Sequence, residues 1–237
     1  MFFSKNNFHF KKLKKLSLKK YRDFYQEFLI FGEHLIEEAL KKGVVLELYT
    51  ISSDKEGTLI SPNLMKELNS NKIIYNRCAL CKKVSEPLKS DKILVLDDVQ
   101  DPSNMGALLR SACAFGFKHV FSSLKSADFY NEKTIQSSQG ALFSLFLKRG
   151  NIEEFLTTAK KNDYLIFSAL SHEKNIELNE ASALAKQRKK ILVLGNEGTG
   201  ISPLVQNKSD YFLCIQTDLV ESLNVNAAGS ILMYILN

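Results

Sequence analysis

Three short segments carry residues whose types and spacing could do chemistry. The first is Asp97-Asp-Val-Gln-Asp-Pro-Ser-Asn-Met-Gly106, which runs on to Arg110. Asn104 is a good helix N-cap and Gly116 a good stop, so a helix is expected from Met105 to Phe115. On it, Arg110 has Gly106 and Ala107 one turn before and Cys113 and Ala114 one turn after, all small and none acidic. Such a guanidinium can reach for an anion, although a distant acid or water would satisfy it too. The second segment is Leu192-Val-Leu-Gly-Asn-Glu-Gly-Thr-Gly-Ile-Ser-Pro203. Gly195, Gly198 and Gly200 mean that the backbone turns tightly or comes close to a ligand. Glu197 sits at its centre, no Lys follows, and the spacing misses G-x-G-x-x-G, so a neutral or cationic ligand suits it better than a phosphate. A plain glycine-rich turn is the alternative. The third segment runs from Ile215 to Gly229 and holds Ser222 and Asn224, small hydrogen-bonding residues that a helix cap alone would explain.

The elements that position these segments read as alternating strands and helices. Ile93 to Leu96, His119 to Ser122, Tyr164 to Ser168, Ile191 to Leu194 and Tyr211 to Ile215 are continuous apolar runs, with a second helix from Ile152 to Lys161. That pattern predicts a mostly parallel sheet with helices on both faces, and ligands gather beyond the carboxyl ends of such strands. A last helix, Ser230 to Leu236, belongs to a tail that is apolar all round from Ala227, which points to burial partly in its own domain and partly against a second copy of the chain. Ahead of a polar divide near Val84–Asp91, Phe28 to Phe31 reads as a strand, Glu33 to Lys42 as a helix stopped at Gly43, and Val44 to Ile51 as a strand. Ser61-Pro62 starts a short helix, and Lys72 to Tyr75 reads as a third strand. The expected domains are therefore residues 1–88, a basic arm with a small α/β unit, and residues 91–237.

The chain has 237 residues and a net charge of +6. Residues 1–22 hold Lys5, Lys11, Lys12, Lys14, Lys15, Lys19, Lys20 and Arg22 and no acid, while the remainder has 24 basic against 26 acidic residues. Such a run suits a polyphosphate such as RNA, and Phe8, Phe10, Tyr21 and Phe24 interleave as faces for unpaired bases. A solvated, lysine-rich helix is the plainer reading. The longest uncharged stretch, Ser222 to Asn237, is 16 residues, short of the roughly 20 that span a bilayer. No secretory pattern stands at the N-terminus. A cytoplasmic protein is expected. Cys78 and Cys81 form a C-x-x-C with no second ligand pair at zinc spacing; on a helix they would share a buried face, and no metal is expected.

Taken together, Asp101-Pro-Ser-Asn-Met-Gly106 with Arg110, Leu194-Gly-Asn-Glu-Gly-Thr-Gly200 and Glu221-Ser-Leu-Asn-Val225 resemble the SpoU family of RNA 2′-O-ribose methyltransferases in order, spacing and placement after strands. Gln139-Gly-Ala-Leu-Phe143 fits more weakly. Phe31-Gly-Glu-His-Leu-Ile-Glu-Glu-Ala39 is similar to the substrate-binding module of the ribosomal-RNA branch. The resemblance implies a C-terminal trefoil knot, a homodimer through the C-terminal helix region, and S-adenosyl-L-methionine as cofactor. It implies cofactor contacts, mostly by backbone, at Leu194, Gly195, Gly198, Ile215 and Leu223, and catalytic-site positions at Asn104, Arg110, Glu197, Ser222 and Asn224. The RNA partner it implies is ribosomal in preference to transfer RNA, met in part by Lys11, Lys12, Lys14, Lys15, Lys19, Lys20 and Arg22. A cationic sulfonium agrees with the acidic second loop. Ser103 stands where Gly is usual, Gln216-Thr217 replaces Pro-Met, and the third loop is one residue short, which leaves its first cofactor position open between Cys214 and Ile215.

Overall fold

The computed structural model describes residues 4–83, 90–170, 175–186 and 188–237; the divide expected near Val84–Asp91 lies largely outside them. The basic segment is two packed helices rather than a free arm. Asn7 Oδ1 caps α1 (Phe8–Lys15) by accepting from the His9 and Phe10 amides, and α2 (Lys19–Tyr25) follows. Phe10, Leu13 and Leu16 recur at helical spacing and are buried, which takes Phe10 out of the faces expected for bases. They cover a four-stranded sheet of order β1-β4-β2-β3, built from β1 (Glu27–Phe31), β2 (Val45–Thr50), β3 (Thr58–Leu59) and β4 (Arg77–Lys82). The helix α3 (Glu33–Lys41) ends before Gly43 at φ +64°, and α4 (Pro62–Leu68) starts on the Ser61 cap, as expected.

Two expectations for this region are corrected. Lys72 to Tyr75 forms no strand, and Ile73 and Ile74 stay half exposed. The third long strand is β4, which carries the two cysteines. On a strand, residues three apart face opposite sides, so Cys78 packs with Phe10, Leu13 and Tyr49 while Cys81 packs with Phe28 and Leu35. Both are buried core residues, and burial pushes the Cys81 thiol up to about 12.

The larger sheet has the order β10-β8-β9-β5-β6-β7, with every pair parallel. In chain order its elements are β5 (Lys92–Leu96), α5 (Pro102–Ala114), β6 (His119–Ser123), α6 (Glu132–Ser138), β7 (Phe146–Gly150), α7 (Ile152–Lys161), β8 (Leu165–Ala169), α8 (Leu178–Ala185), β9 (Lys190–Leu194), α9 (Pro203–Lys208), β10 (Tyr211–Leu213) and α10 (Val225–Ile235). Period-2 alternation divides each central strand between two cores. Ile93, Val95, Ile191 and Val193 pack with Leu156 of α7 and Val205 of α9. Leu94, Leu96, Leu192 and Leu194 pack with Met105 and Leu108 of α5 and Leu232 of α10. Helices cover both faces, as the sequence pattern requires. The helix α10 begins earlier than expected and is not buried all round: Ile231 and Tyr234 are 40% and 69% exposed.

The front sheet shares a core with the larger one. Phe28 and Ile30 of β1 lie in the same apolar cluster as Leu94 and Leu108, while Leu29 and Phe31 lie in the smaller front cluster. Arg22 bridges the two halves. Its Nε and Nη2 donate to Asp128 Oδ2 at 3.0 and 2.6 Å, and its Nη1 donates to the Leu16 and Ser17 carbonyls, each at 2.8 Å.

Candidate active site

The helix that carries Arg110 starts three residues earlier than expected. Asp101, not Asn104, is the cap: its Oδ1 accepts from the Ser103 amide at 2.5 Å and the Asn104 amide at 3.4 Å, with Pro102 at the first helical position. The Ser103 amide foremost holds the Asp101 carboxyl below its ordinary range. Asn104 therefore lies in the first turn with its side chain free to leave the helix. Gly106 allows α5 to approach α6 closely, because a Cβ there would stand 2.4 Å from the Thr134 carbonyl oxygen.

The loop after β9 folds onto itself. The Asn196 amide donates to the Gly200 carbonyl and the Gly200 amide returns the bond, at 2.9 and 3.0 Å. A Cβ on Gly195 would lie 2.2 Å from the Gly200 carbonyl carbon, so only glycine fits. Asn196 Oδ1 accepts from the Gly198 and Thr199 amides, and its Nδ2 donates to the Asp98 carbonyl at 2.9 Å, tying this loop to the one after β5. Asn196 is a residue that sequence reasoning passed over, although Asn two positions before Gly198 is a signal for this kind of turn.

That tie presents Glu197 to the first loop. Glu197 Oε1 accepts from Asn104 Nδ2 at 3.0 Å and the Asp101 amide at 3.2 Å, and Oε2 accepts from the Gln100 amide at 3.2 Å. Burial pushes its carboxyl up, but these bonds, Asn104 first, outweigh burial and hold it below the ordinary carboxylate range. Asn104 Oδ1 in turn accepts from Asn224 Nδ2 at 3.1 Å, and Asn224 Oδ1 caps α10 by accepting from the Asn226 amide. One hydrogen-bonded line thus joins Glu197, Asn104 and Asn224, one from each segment. The side chains of Arg110 and Ser222 are exposed and make no hydrogen bond or ion pair among the described residues. The structure leaves them outside that line.

The expected cofactor positions fall into two groups. The Leu194 side chain is buried in the core and its carbonyl accepts from the Asp97 amide at 2.8 Å; Gly195 is buried and Gly198 exposed. Ile215 and Leu223 are half-buried in an irregular stretch between β10 and α10, with Ile215 against the main core. The bare backbone at Gly195 and Gly198, with the half-buried Ile215 and Leu223, fits a ligand held mainly by backbone groups. Among the described residues, no three His, Cys, Asp or Glu gather at metal-binding distance, and no helix is long and apolar enough to cross a membrane.

The basic residues divide as well. Lys12 pairs with Glu27 at 2.6 Å, Lys14 with Glu67 at 3.1 Å and Lys19 with Asp23 at 2.7 Å. Lys11, Lys15 and Lys20 are exposed without an acidic partner among the described residues, and Lys15 and Lys20 stand 5.3 and 5.0 Å from the Tyr21 ring centroid. Arg22 is buried in its pair with Asp128 and belongs to the scaffold instead.

Residues 7–94 match the MRM3-like substrate binding domain. The chain is 33% identical to the 23S rRNA (guanosine(2553)-2′-O)-methyltransferase RlmP of Bacillus subtilis, over 98% of this chain and 96% of that protein. A TrmH-family protein from Porphyromonas gingivalis superposes with a TM-score of 0.83 at 30% identity, covering 99% of this chain and 98% of the other. The SpoU methyltransferase AviRb from Streptomyces viridochromogenes, solved with AdoMet, superposes at 0.82 and 23% identity, covering 98% and 97%, a likeness of fold. Since residues 91–234, which contain all three segments of the hydrogen-bonded line, match the SpoU rRNA Methylase family, the chain belongs to that family.

Proposed function

We propose that this chain methylates a ribose 2′-hydroxyl of ribosomal RNA. Methyl transfer to RNA from S-adenosylmethionine follows from family membership; the ribosomal target is supported by the similarity to RlmP and by the front match. The observation that carries the reading is the Glu197–Asn104–Asn224 line, which gathers three loops into one site, with the exposed guanidinium of Arg110 further along the helix that carries Asn104.

S-adenosylmethionine supplies an activated methyl group when bound. Leu194, Gly195, Gly198, Ile215 and Leu223 hold it, mostly through their backbones. Arg110 holds the phosphate beside the target ribose and lowers the pKa of the attacking hydroxyl, whose proton passes to solvent; a guanidinium stays protonated at every pH the protein meets, which disfavours it as a base. Ser222 and Asn224 orient the ribose, Asn104 holds the first loop to the third, and Glu197 fixes Asn104. Lys11, Lys15 and Lys20 receive RNA phosphates. Residues 1–88 form the RNA-binding domain and residues 91–237 the catalytic domain, with the loops after β9 and β10 knotted. The exposed Ile231 and Tyr234 of α10 support a homodimer through this helix, and a ribosomal RNA substrate supports a cytoplasmic location.

The test is to map alkali-resistant 2′-O-methyl positions in RNA from cells with and without the gene. Loss of one ribosomal position is expected. An unchanged map, or a protein that fails to bind S-adenosylmethionine in calorimetry, refutes the proposal.

A further inference from the structure

A cavity of about 580 Å³ lies apart from the residues assigned above, where the segments after β5, β6, β7 and β9 meet. Its wall toward the methyl-transfer site is one loop thick. Asp98 lines the cavity while its carbonyl takes the bond from Asn196, and two residues on, the Gln100 amide binds Glu197. In the other loop, Thr199 and Gly200 line the cavity two to three residues after Glu197. A chain lying across this rim reaches both places.

The lining selects its guest. Asp97, Asp98 and Glu153 set three carboxylates against one ammonium, that of Lys125, so a phosphate is repelled and a group rich in N–H donors is favoured. Asp97 is 8% exposed and uses Oδ2 on the Ser202 amide at 2.8 Å. The Asp98 carboxylate accepts a single hydrogen bond among the described residues, from Gln100 Nε2 at 3.3 Å. Buried Ile152 and Ile201 supply apolar wall. The volume lies within the roughly 300–1,000 Å³ of small-molecule sites. A nucleobase is flat and apolar on its faces and polar at its edge, and unpaired RNA bases are read at that edge. Guanine is the base that shows two adjacent donor groups there, N1–H and N2–H₂, a match for one carboxylate.

We propose that this cavity takes a guanine base of the RNA substrate, with Asp98 accepting from its N1–H and N2–H₂ groups. The proposal rests on the RNA methyltransferase reading above. Its test titrates the full chain with the single-stranded hexamers UUGUUU, UUIUUU and UUAUUU, where inosine (I) lacks the 2-amino group, and separately with S-adenosylmethionine. The guanosine hexamer should bind about tenfold more tightly than the inosine hexamer, the ratio that one hydrogen bond to a carboxylate carries, and more tightly still than the adenosine hexamer, which lacks both donors. Asp98→Asn, which keeps a residue tolerant of the φ of +67° found there, should erase the difference. Leu204→Trp, on the partly exposed rim, should weaken guanosine binding by about tenfold. Both variants should keep the wild-type affinity for S-adenosylmethionine. Equal binding of the three hexamers, or a guanosine preference that survives in both variants, overturns the proposal. A parallel loss of S-adenosylmethionine affinity also overturns it and gives the cavity to the cofactor. A protein that takes S-adenosylmethionine yet shows no base preference fails this inference alone, whereas one that takes none fails the reading beneath it.

Discussion

Asn104 Nδ2 stands 3.0 Å from Glu197 Oε1 across 93 positions of sequence, and the same asparagine accepts from Asn224 through its other amide atom. Glu197 has two carboxylate oxygens and receives three N–H donors, so it can accept everything aimed at it only while ionised. Glu197→Gln keeps the size but turns an amide donor toward other donors. It should lower methyl transfer by roughly 10²-fold, a loss typical of one misplaced catalytic donor. Asn104→Asp, which sets two carboxylates against each other, should do at least as much harm. Single-turnover transfer rates check both.

Arg110→Ala should abolish transfer, by roughly 10²–10⁴-fold, because no other residue replaces a group acting on the reacting hydroxyl. Its side chain makes no hydrogen bond or ion pair among the described residues, so stability and S-adenosylmethionine affinity should stay at wild-type values. Calorimetry beside a transfer assay separates the two, and a fully active variant would remove Arg110 from the mechanism.

Replacing Lys11, Lys15 and Lys20 together by Ala should weaken RNA binding and reduce the slope of log K against log salt by about two, as three lost phosphate contacts to single-stranded RNA require. The paired Lys12, Lys14 and Lys19 should contribute less when replaced in the same way. Filter-binding titrations over a range of salt measure both slopes.

Arg22→Ala should cost about 3–5 kcal/mol of stability, since it strands the buried Asp128 carboxylate. Asp128 keeps a longer contact to Arg149 Nη1 at 3.6 Å, which sets the loss toward the lower end. Urea denaturation checks it, and a loss below about 1 kcal/mol would contradict the pair's role.

His119 gives the stability a dependence on mild acid. Burial, aided by the Lys148 charge, lowers it to about 4. A group lowered in this way contributes stability in full above the unfolded histidine value, and that contribution is lost as pH falls from there toward about 4. It packs between Phe146 and Phe155, with ring centroids at 4.7 and 5.6 Å. His119→Phe should therefore remove much of the decline in Tm across that window, measured by thermal melts at stepped pH.

The parallel sheet was legible because Ile93–Leu96 and Ile191–Leu194 are uninterrupted apolar runs that only a two-sided burial explains. β4 was not, because Cys78 and Cys81 stand at a spacing that suits a helix face, whereas the strand sends them into different cores. Of the site, Asn104, Glu197 and Asn224 could be named from their loops, but the bonds between them depend on where α5 begins. Reading Asn104 as the cap hid its reach, since a capping side chain is spent on its own helix; Asp101 does the capping and frees it. The role of Arg22 was beyond the sequence for a similar reason, because its carboxylate partner lies 106 positions away.

Neighbouring residues of β1 belong to different cores, Phe28 and Ile30 to one and Leu29 and Phe31 to the other. In the proposed reading, a strand shared in this way couples the lysines assigned to the nucleic acid to the groups assigned to its modification through one packed core. The front of the molecule then works as a ruler: the modified nucleotide must lie a constant reach from the anchored stretch, and a bulge inserted between the two in a synthetic RNA should shift the mark along the strand by its own length.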